Sequence, residues 1–432
     1  MSCRFSITPF HYCFFVIYAV GVFGPATARA SVRAPLRASQ GSLLASVVGP
    51  LLVDETSQVV VMEYEAWFGP NAVTFQGSAA MPLLQSADMQ AVGGGYDSAD
   101  PAVIQQHVEW MEYMGVDATM IDLSNNVSCI FNSEWFVNTY LENFNGCPTW
   151  RTSYQNIRDN TGNLYPAWSG LGTSLKLIPL LGGIDQNALY VDNDGETAFE
   201  KEIEYFDTLM TEYPGLNVIY QGKPLMLIYL GAAQDPNQSD NPLWFQIKTL
   251  LNNHPEFQTK YTFKMIAGYL ESQPSLWVTP GDPDGPEEIS PQYGFWSVGD
   301  RLNTSCTNPL CPYYPTYNEI VSDSEFRTEN MTVAIATAGQ NGWGCPNANS
   351  LPYCPDDSLR FGGDQSYATL DAFMAYARQL DPIFLIIDQF NEFMSPDEGW
   401  DANTNDDIEP ANLWGSGAID AVKQEIATYR NH

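Results

Sequence analysis

The chain has 432 residues, with 51 acidic against 18 basic side chains and a formal net charge of −33. This charge disfavours nucleic acids and anionic membrane surfaces as partners and favours neutral or cationic ligands.

Residues 1–30 have the layout of a secretory signal peptide. The basic Arg4 precedes an apolar stretch from Phe14 to Val22, and the segment "ATARA" ends in small residues that fit a cleavage site. The apolar stretch is too short to span a bilayer comfortably, which disfavours the alternative of an uncleaved anchor. We therefore expect a secreted, extracellular protein in which residues 31–432 form a single domain.

Short apolar runs alternate with amphipathic segments along the rest of the chain. The clearest helix covers residues 101–114, with Asp100 as N-cap, Pro101 at its first position and Gly115 at its end. Further helices are predicted at 197–213, 242–253, 368–379 and 417–429. The predicted strands are 59–68, 117–124, 175–183, 224–231, 263–270, 293–299, 332–339 and 383–390.

This alternation predicts an α/β fold. Near-continuous apolar strands separated by amphipathic helices imply a parallel sheet that is covered on both faces. Eight such strands indicate a (β/α)8 TIM barrel with extended loops. A doubly wound open sheet is the alternative, but no Gly-rich phosphate-binding loop follows the first strand, and "AVGGGYDS", which comes closest, lacks the spacing.

Six cysteines remain once the signal peptide is removed, and they fall into close pairs. The pairs are Cys129 with Cys147, Cys306 with Cys311, and Cys345 with Cys354. An even number in an exported chain predicts three local disulfides that staple loops. A zinc site is disfavoured because finger spacing and adjacent histidines are missing. Four glycosylation sequons, at Asn126, Asn237, Asn303 and Asn330, fit a secreted glycoprotein.

Carboxylates and aromatic rings lie at the predicted carboxyl ends of the strands. In a barrel these ends meet at one mouth, where catalytic residues are found. Such a set suits glycoside hydrolysis, which needs two carboxyl groups and flat surfaces for sugar rings. The candidate substrate-binding residues at these ends are Tyr64, Trp67, Asp122, Asn126, Tyr229, Tyr269, Trp296 and Asn391.

The C-terminal stretch "QFNEFMSPDEGWDANTNDDIEPA" resembles an expanded form of the Asn-Glu-Trp-x-Glu-Gly…Ile-Glu-Pro signature of glycoside hydrolase family 99, the endo-α-mannosidases and endo-α-mannanases. The segment beginning "GGGYDSADP" is similar to the turn and helix that precede that family's second strand, and "GKPLMLIY" to its fourth strand. Tyr96, in the first of these segments, is a further substrate-binding candidate. Family 71, the α-1,3-glucanases, is a more distant resemblance.

The resemblance implies two catalytic residues. Glu392 takes the place of the carboxylate proposed in family 99 to deprotonate the sugar 2-hydroxyl, and Glu398 that of the general acid and base. The two are six positions apart instead of three, and Phe393 replaces the Trp. Asp397 or Asp122 could therefore take the acid role from Glu398.

Other chemistries fit less well. Only His107, His254 and His432 follow the signal peptide, which disfavours a Ser-His-Asp triad or a His-rich metal site. Residues 401–406, "DANTND", have the alternating oxygen ligands of a calcium loop, but Asp406 stands in place of its glycine. We therefore expect a monomeric glycoside hydrolase without a required cofactor, acting on a neutral polysaccharide or oligosaccharide. The alternative is a carbohydrate-binding barrel without turnover.

Overall fold

The computed structural model describes residues 49–76, 78, 80–142, 146–183, 185–229, 243–266, 295–296, 319–322, 325–336, 367–393 and 405–432. The described residues all belong to one compact unit, residues 45–432. Residues 1–44, which include the predicted signal peptide, lie outside the described residues.

The strands in the described residues account for every strand predicted from the sequence. They are β1 (Leu51–Val53), β2 (Val59–Glu65), β3 (Ala118–Asp122), β4 (Lys176–Gly182), β5 (Val218–Tyr220), β6 (Lys223–Tyr229), β7 (Thr262–Ile266), β8 (Phe295–Trp296), β9 (Glu319–Ser322), β10 (Glu325–Thr328), β11 (Asn330–Ala334) and β12 (Phe384–Asp388). The pair β9 and β10 forms a separate antiparallel hairpin.

Eight of these strands lie side by side in the order β8-β7-β6-β4-β3-β2-β12-β11. All neighbours in this order are parallel. The first barrel strand, β2, lies between the second and the eighth, which is the order that a (β/α)8 barrel requires. The fold class expected from the sequence is thus confirmed. The contact between β8 and β11 that would complete the ring is not among the described residues.

The helices of the described residues cover the outside of this sheet. They are α1 (Pro101–Met114), α2 (Val127–Phe131), α3 (Glu134–Tyr140), α4 (Cys147–Leu171), α5 (Ala198–Glu212), α6 (Leu243–Asn253), α7 (Pro255–Lys260), α8 (Ala368–Leu380) and α9 (Gly417–Arg430). None of them has the length and hydrophobicity needed to cross a membrane.

Local hydrogen bonds and backbone geometry fix the ends of two of the predicted helices. Asp100 accepts a hydrogen bond from the Ala102 amide at the start of α1, and Gly115 ends that helix with φ 92°. Such a positive φ favours glycine. At α5, Thr197 and Glu200 form a reciprocal capping box.

The longest helix, α4, was not predicted. Pro166 lies inside it, and a proline removes a helical hydrogen bond and normally signals an end. The helix nevertheless buries Leu164, Tyr165 and Trp168 against the sheet. Tertiary packing therefore outweighs the local signal.

One of the three predicted disulfides, Cys129–Cys147, is present and joins α2 to the start of α4. The other four cysteines lie outside the described residues. Among the predicted glycosylation sites, Asn330 is fully buried in β11, and its amide donates to the Phe384 carbonyl. Glycosylation at Asn330 is therefore incompatible with the fold, whereas the partly exposed Asn126 stays a candidate.

The amino-terminal end of the barrel is closed by β1 and β5. Val53 and Val218, from these two strands, pack in the apolar cluster inside the sheet. At the same end of the barrel, Lys264 forms a salt bridge of 2.6 Å with Glu329, which precedes β11, and both side chains are nearly inaccessible to solvent. Glu329 also accepts a hydrogen bond of 2.8 Å from the Tyr220 hydroxyl. Because this end is filled, the described fold leaves the opposite end of the barrel for a site.

Candidate active site

The side chains of β2 alternate between two environments. Val59 and Val61 belong to the cluster inside the sheet, whereas Tyr64 belongs to the cluster between the sheet and the helices. Successive side chains point to opposite faces of a strand. Glu63 and Glu65 therefore continue the inner row towards the carboxyl end of the barrel.

Three carboxyl groups converge where β2 and β3 end. One oxygen from each of Glu63, Glu65 and Asp122 lies within 4.8 Å of the other two. Glu65 and Asp122 are register partners at the last paired position of the two strands. The three residues are only 5%, 1% and 5% exposed. Such close burial of acidic groups is costly unless they gain a proton or a cationic partner.

The eighth barrel strand brings further acidic groups to this position. Asp388, the last residue of β12, is 2% exposed, and its carboxyl group hydrogen-bonds to that of Glu63. A hydrogen bond between two carboxyl groups requires a proton on one of them. Glu392 follows four positions later and is partly buried. It lies near enough to Asp388 and Asp122 for their charges to act on it.

Burial is the main cause of the raised pKa values on β2 and β3. It raises the pKa of Glu63 well above the ordinary range, and the charge of Asp388 adds to the effect. Burial raises the pKa of Glu65 in the same way, with Glu392 as the strongest charged neighbour. Burial raises the pKa of Asp122 to about 6, although hydrogen bonds from Ser124 act in the opposite direction.

Glu392 shows the same pattern. Burial raises its pKa well above the ordinary range, and the charges of Asp406 and Asp407 are the next largest causes. These two residues precede the Ile-Glu-Pro sequence at 408–410. The segment beginning at residue 405 therefore contributes directly to the electrostatics of the site.

The backbone around Glu392 is held by this same segment. The Phe393 amide donates to both carboxylate oxygens of Asp407 at 3.2 Å, and the Glu409 amide donates to the Phe390 carbonyl at 2.8 Å. Phe393 has a φ of 51°, which is uncommon for a residue with a side chain. Contacts on both sides of Glu392 thus hold a turn that the local sequence alone would not favour.

Asn391 joins this turn to the first barrel strand. Its Oδ1 accepts from the Glu65 amide and its Nδ2 donates to the Glu65 carbonyl, both at 2.9 Å. Nδ2 also lies 2.9 Å from the hydroxyl oxygen of Tyr96. The Asn391 side chain is fully buried. It therefore positions Glu392 relative to Glu65 and has no accessible surface for a substrate.

A polar network extends from Asn391 into the helical layer. The Tyr96 hydroxyl donates to Glu409 at 2.7 Å. The other carboxylate oxygen of Glu409 lies 3.4 Å from His107 Nε2, and His107 Nδ1 hydrogen-bonds to the Tyr64 hydroxyl at 3.0 Å. All of these side chains are buried. The network lies on the helix-facing side of the sheet, between the sheet and α1.

The structure therefore corrects three of the predicted substrate-binding residues. Tyr64 and Tyr96 are fully inaccessible and belong to the outer core, with ring contacts to His107. Asn391 is a structural link, as described above. Tyr64 lies near the end of β2 and Asn391 follows β12, as predicted, but Tyr64 points away from the barrel interior and Asn391 is occupied by the Glu65 backbone. Tyr96 precedes α1 and also points into the outer core.

The remaining candidates are placed as follows. Asp122 lies in the carboxyl cluster, and Tyr229 packs against the inner apolar cluster at the end of β6. Trp67 packs partly buried against the outer core, and Asn126 precedes α2 with a φ of 57°. Trp296, in β8, pairs with Ile266 of β7, but its side chain lies outside the described residues. Also outside the described residues are Tyr269, Asp397, Glu398 and residues 401–404.

Sequence reasoning missed Glu63, Asp388 and Glu409 as site residues. A signal for Glu63 existed, because it precedes Glu65 by two positions and therefore shares its face of the strand. Asp388 similarly follows Ile386 on the inner row of β12. Glu409 carried no signal of its own beyond the Ile-Glu-Pro sequence, since its partners lie more than 300 positions away.

No protein-family model matches the chain, and no curated protein matches it either. Among solved structures it is similar to a family 99 endo-α-mannosidase from Bacteroides thetaiotaomicron in complex with BIS-TRIS-propane, with 14% identity over 86% of this chain and 97% of that one, and a TM-score of 0.47. A second structure of an endo-α-mannosidase from that family and organism has 11% identity over 86% and 97% of the two chains and a TM-score of 0.41. A family 113 β-1,4-mannanase has 9% identity over 87% and 98% and a TM-score of 0.36.

These structures are named as glycoside hydrolases, and the first two belong to the family that the C-terminal motif resembles. With TM-scores below 0.5, the likeness assigns no role to any residue of this chain. The strand order and the carboxyl cluster described above stand on the contacts of this chain itself.

Proposed function

We propose that the chain is a secreted glycoside hydrolase that cleaves a polysaccharide or oligosaccharide with a pair of carboxyl groups. One observation carries this proposal: Glu392 lies four residues after the eighth barrel strand, among carboxyl groups from the first, second and eighth strands. Glycoside hydrolysis needs one carboxyl group to protonate the departing oxygen and another to assist attack at the anomeric carbon. Barrel enzymes place such groups at this end of the strands.

We assign Glu392 to the attacking side of the reaction. It lies four residues after the last residue of β12, in a turn held by Asp407 and the Asn391 side chain. Such a held backbone keeps a carboxylate in a constant position relative to a bound sugar ring. Glu398, six positions later, is assigned the acid role, with Asp397 and Asp122 as alternatives.

A screen of the purified protein against a panel of polysaccharides, read by the release of reducing ends, tests the activity itself. The Glu392→Gln variant should bind the same polysaccharide and release no product. Glu109→Gln, an acid-to-amide change at an exposed position of α1, is the matched control and should keep wild-type turnover.

A carbohydrate-binding barrel without turnover predicts a different result. In that case wild type binds a polysaccharide, no product is released under any condition, and Glu392→Gln changes affinity only. Full activity of Glu392→Gln would also contradict the assignment, because the site would then lie elsewhere.

A further inference from the structure

The carboxyl oxygens at the ends of β2 and β3 lie close enough together to bind one metal ion. Calcium binds oxygen ligands at about 2.4 Å, so two ligands of one ion lie at most about 4.8 Å apart. The oxygens of Glu63, Glu65 and Asp122 meet this limit for every pair. The three ligands come from two adjacent strands, which holds their backbone positions without any loop.

A second observation concerns oxygens that lack hydrogen-bond partners. Oε2 of Glu63 and Oε2 of Glu65 are buried and accept no hydrogen bond from the described residues. Oδ1 of Asp388 has no donor among the described residues either, but the Asp388 carboxyl group is the hydrogen-bond partner of Glu63, so a shared proton accounts for that pair. Buried carboxylate oxygens are normally satisfied. Oε2 of Glu65 has no such partner, and its carboxyl group lies in the cluster with Glu63 and Asp122, which indicates that a cationic ligand belongs there.

Side chains of the described residues do not supply that cation. Their salt bridges lie on the outer surface, in the helical layer or, for Lys264 and Glu329, at the closed end of the barrel, and none involves the three carboxylates or Asp388. Several buried like charges repel one another strongly. A divalent cation would remove this repulsion and supply the missing partners together.

We propose that Glu63, Glu65 and Asp122 form a calcium-binding site at the base of the barrel mouth, with Asp388 as a supporting acid. A ligand set of carboxylates alone favours a hard cation such as calcium over zinc, which prefers nitrogen and sulfur. This site differs from the acidic segment 401–406 predicted from the sequence. It also restricts the mechanism, because an Asp122 that binds calcium cannot hold the proton of a general acid.

Titration calorimetry with calcium chloride tests the site on the full chain, treated with EDTA and then freed of it, in about 150 mM KCl to screen non-specific attraction. We expect one ion per chain with a dissociation constant below about 1 mM, and a rise in the melting temperature of about 2 °C or more at saturation. Glu65→Gln and Asp122→Asn should each weaken binding by about tenfold or more. No substrate is present, so the result is independent of the proposed hydrolase activity.

Two comparisons make the outcome decisive. Without calcium, Glu65→Gln should be at least as stable as wild type, because one of several like charges is gone; a folded variant that has lost only the calcium response supports the site. In the double variant Asp401→Asn, Asp406→Asn the response should persist. Calcium binding that disappears with this double variant and survives Glu65→Gln overturns the proposal in favour of the 401–406 segment. If wild type shows no calcium response at all, the proposal is wrong, and the carboxyl groups of the cluster are neutralised by protons instead.

Discussion

The side chain of Asn391 pairs with both backbone hydrogen-bonding groups of Glu65 across 326 positions of sequence. Through this pair, the turn that carries Glu392 is joined to the strand that carries Glu63 and Glu65. The two acidic parts of the site therefore keep their relative positions without contributing their own side chains to the link.

Replacement of Asn391 by alanine should destabilise the fold and reduce activity together. The change leaves a buried amide and a buried carbonyl without partners, which costs about 2–5 kcal/mol in total. Urea denaturation measures this loss. Asn412 is the matched control, since its exposed side chain accepts from the Met81 amide at 2.9 Å; Asn412→Ala should cost less than about 1 kcal/mol. Equal losses of stability in the two variants would show that the Asn391 hydrogen bonds stabilise the fold no more than an exposed contact does.

Tyr96→Phe should lower kcat more than it raises KM. The change removes the hydroxyl between Asn391 and Glu409, so the positioning of Glu392 relaxes while the substrate-contacting groups remain. We expect kcat to fall by about tenfold, since small displacements of a catalytic group have large effects. Tyr113→Phe removes a comparable hydroxyl contact on the surface, to Asp420 at 2.8 Å, and should leave both constants unchanged. A rise in KM alone for Tyr96→Phe would place this residue at the substrate instead.

Substrates with different leaving groups distinguish the proposed roles of Glu392 and Glu398. Glu398→Gln should lose most activity on natural glycosides and regain part of it on activated aryl glycosides, which need little protonation to depart. Glu392→Gln should not regain activity in this way, because its role is on the attacking side. Rescue of Glu392→Gln with none for Glu398→Gln would reverse the assignment. Rescue of Asp122→Asn in place of Glu398→Gln would move the acid role to Asp122.

Asp192 should make stability depend on pH in acid. Although burial opposes it, hydrogen bonds from Ser133, Asn193 and Lys201 lower the pKa of Asp192 to about 2. A group whose folded pKa is lowered stabilises the fold above its unfolded pKa of about 4, and this contribution is lost as the pH falls towards 2.

The contribution of Asp192 amounts to about 2 kcal/mol, from a pKa difference of nearly two units. Urea midpoints between pH 6 and pH 2 should fall for wild type, and Asp192→Asn should start lower and lose less over that range. Asp194→Asn is the control, because that neighbour is largely exposed. Parallel pH curves for wild type and Asp192→Asn would contradict the prediction.

All six cysteines beyond the signal peptide should be bonded. Cys129–Cys147 is present and closes a loop with a sequence separation of 18, which corresponds to about 3 kcal/mol of stabilisation in the chain-entropy description. Titration of the denatured, unreduced protein should find fewer than two free thiols. Two or more would show that one of the other predicted pairs, Cys306–Cys311 or Cys345–Cys354, does not form.

The sequence by itself determined the element order and the fold class. Apolar runs such as 59–62 and 384–387 predict buried strands without reference to the rest of the chain, because burying them away from water is strongly favourable. Caps such as Asp100 and Thr197 act through hydrogen bonds to residues two or three positions away. Both signals are local and can be read without a partner. The helix α4 was not predicted, because Pro166 is a local signal for a helix end and only packing against distant residues outweighs it.

Only the tertiary structure decided which polar residues belong to the site. Glu63 and Tyr64 are neighbours in a buried strand, and nothing local says which of them faces the barrel interior, since a shift of one residue exchanges the two faces. The partners of Asn391, Glu409 and Asp388 come from distant parts of the sequence. Parallel strands bring their carboxyl ends together only after the sheet has formed. The convergence of Glu63, Glu65, Asp122 and Asp388 is therefore a property of strand order and register, which no single segment encodes.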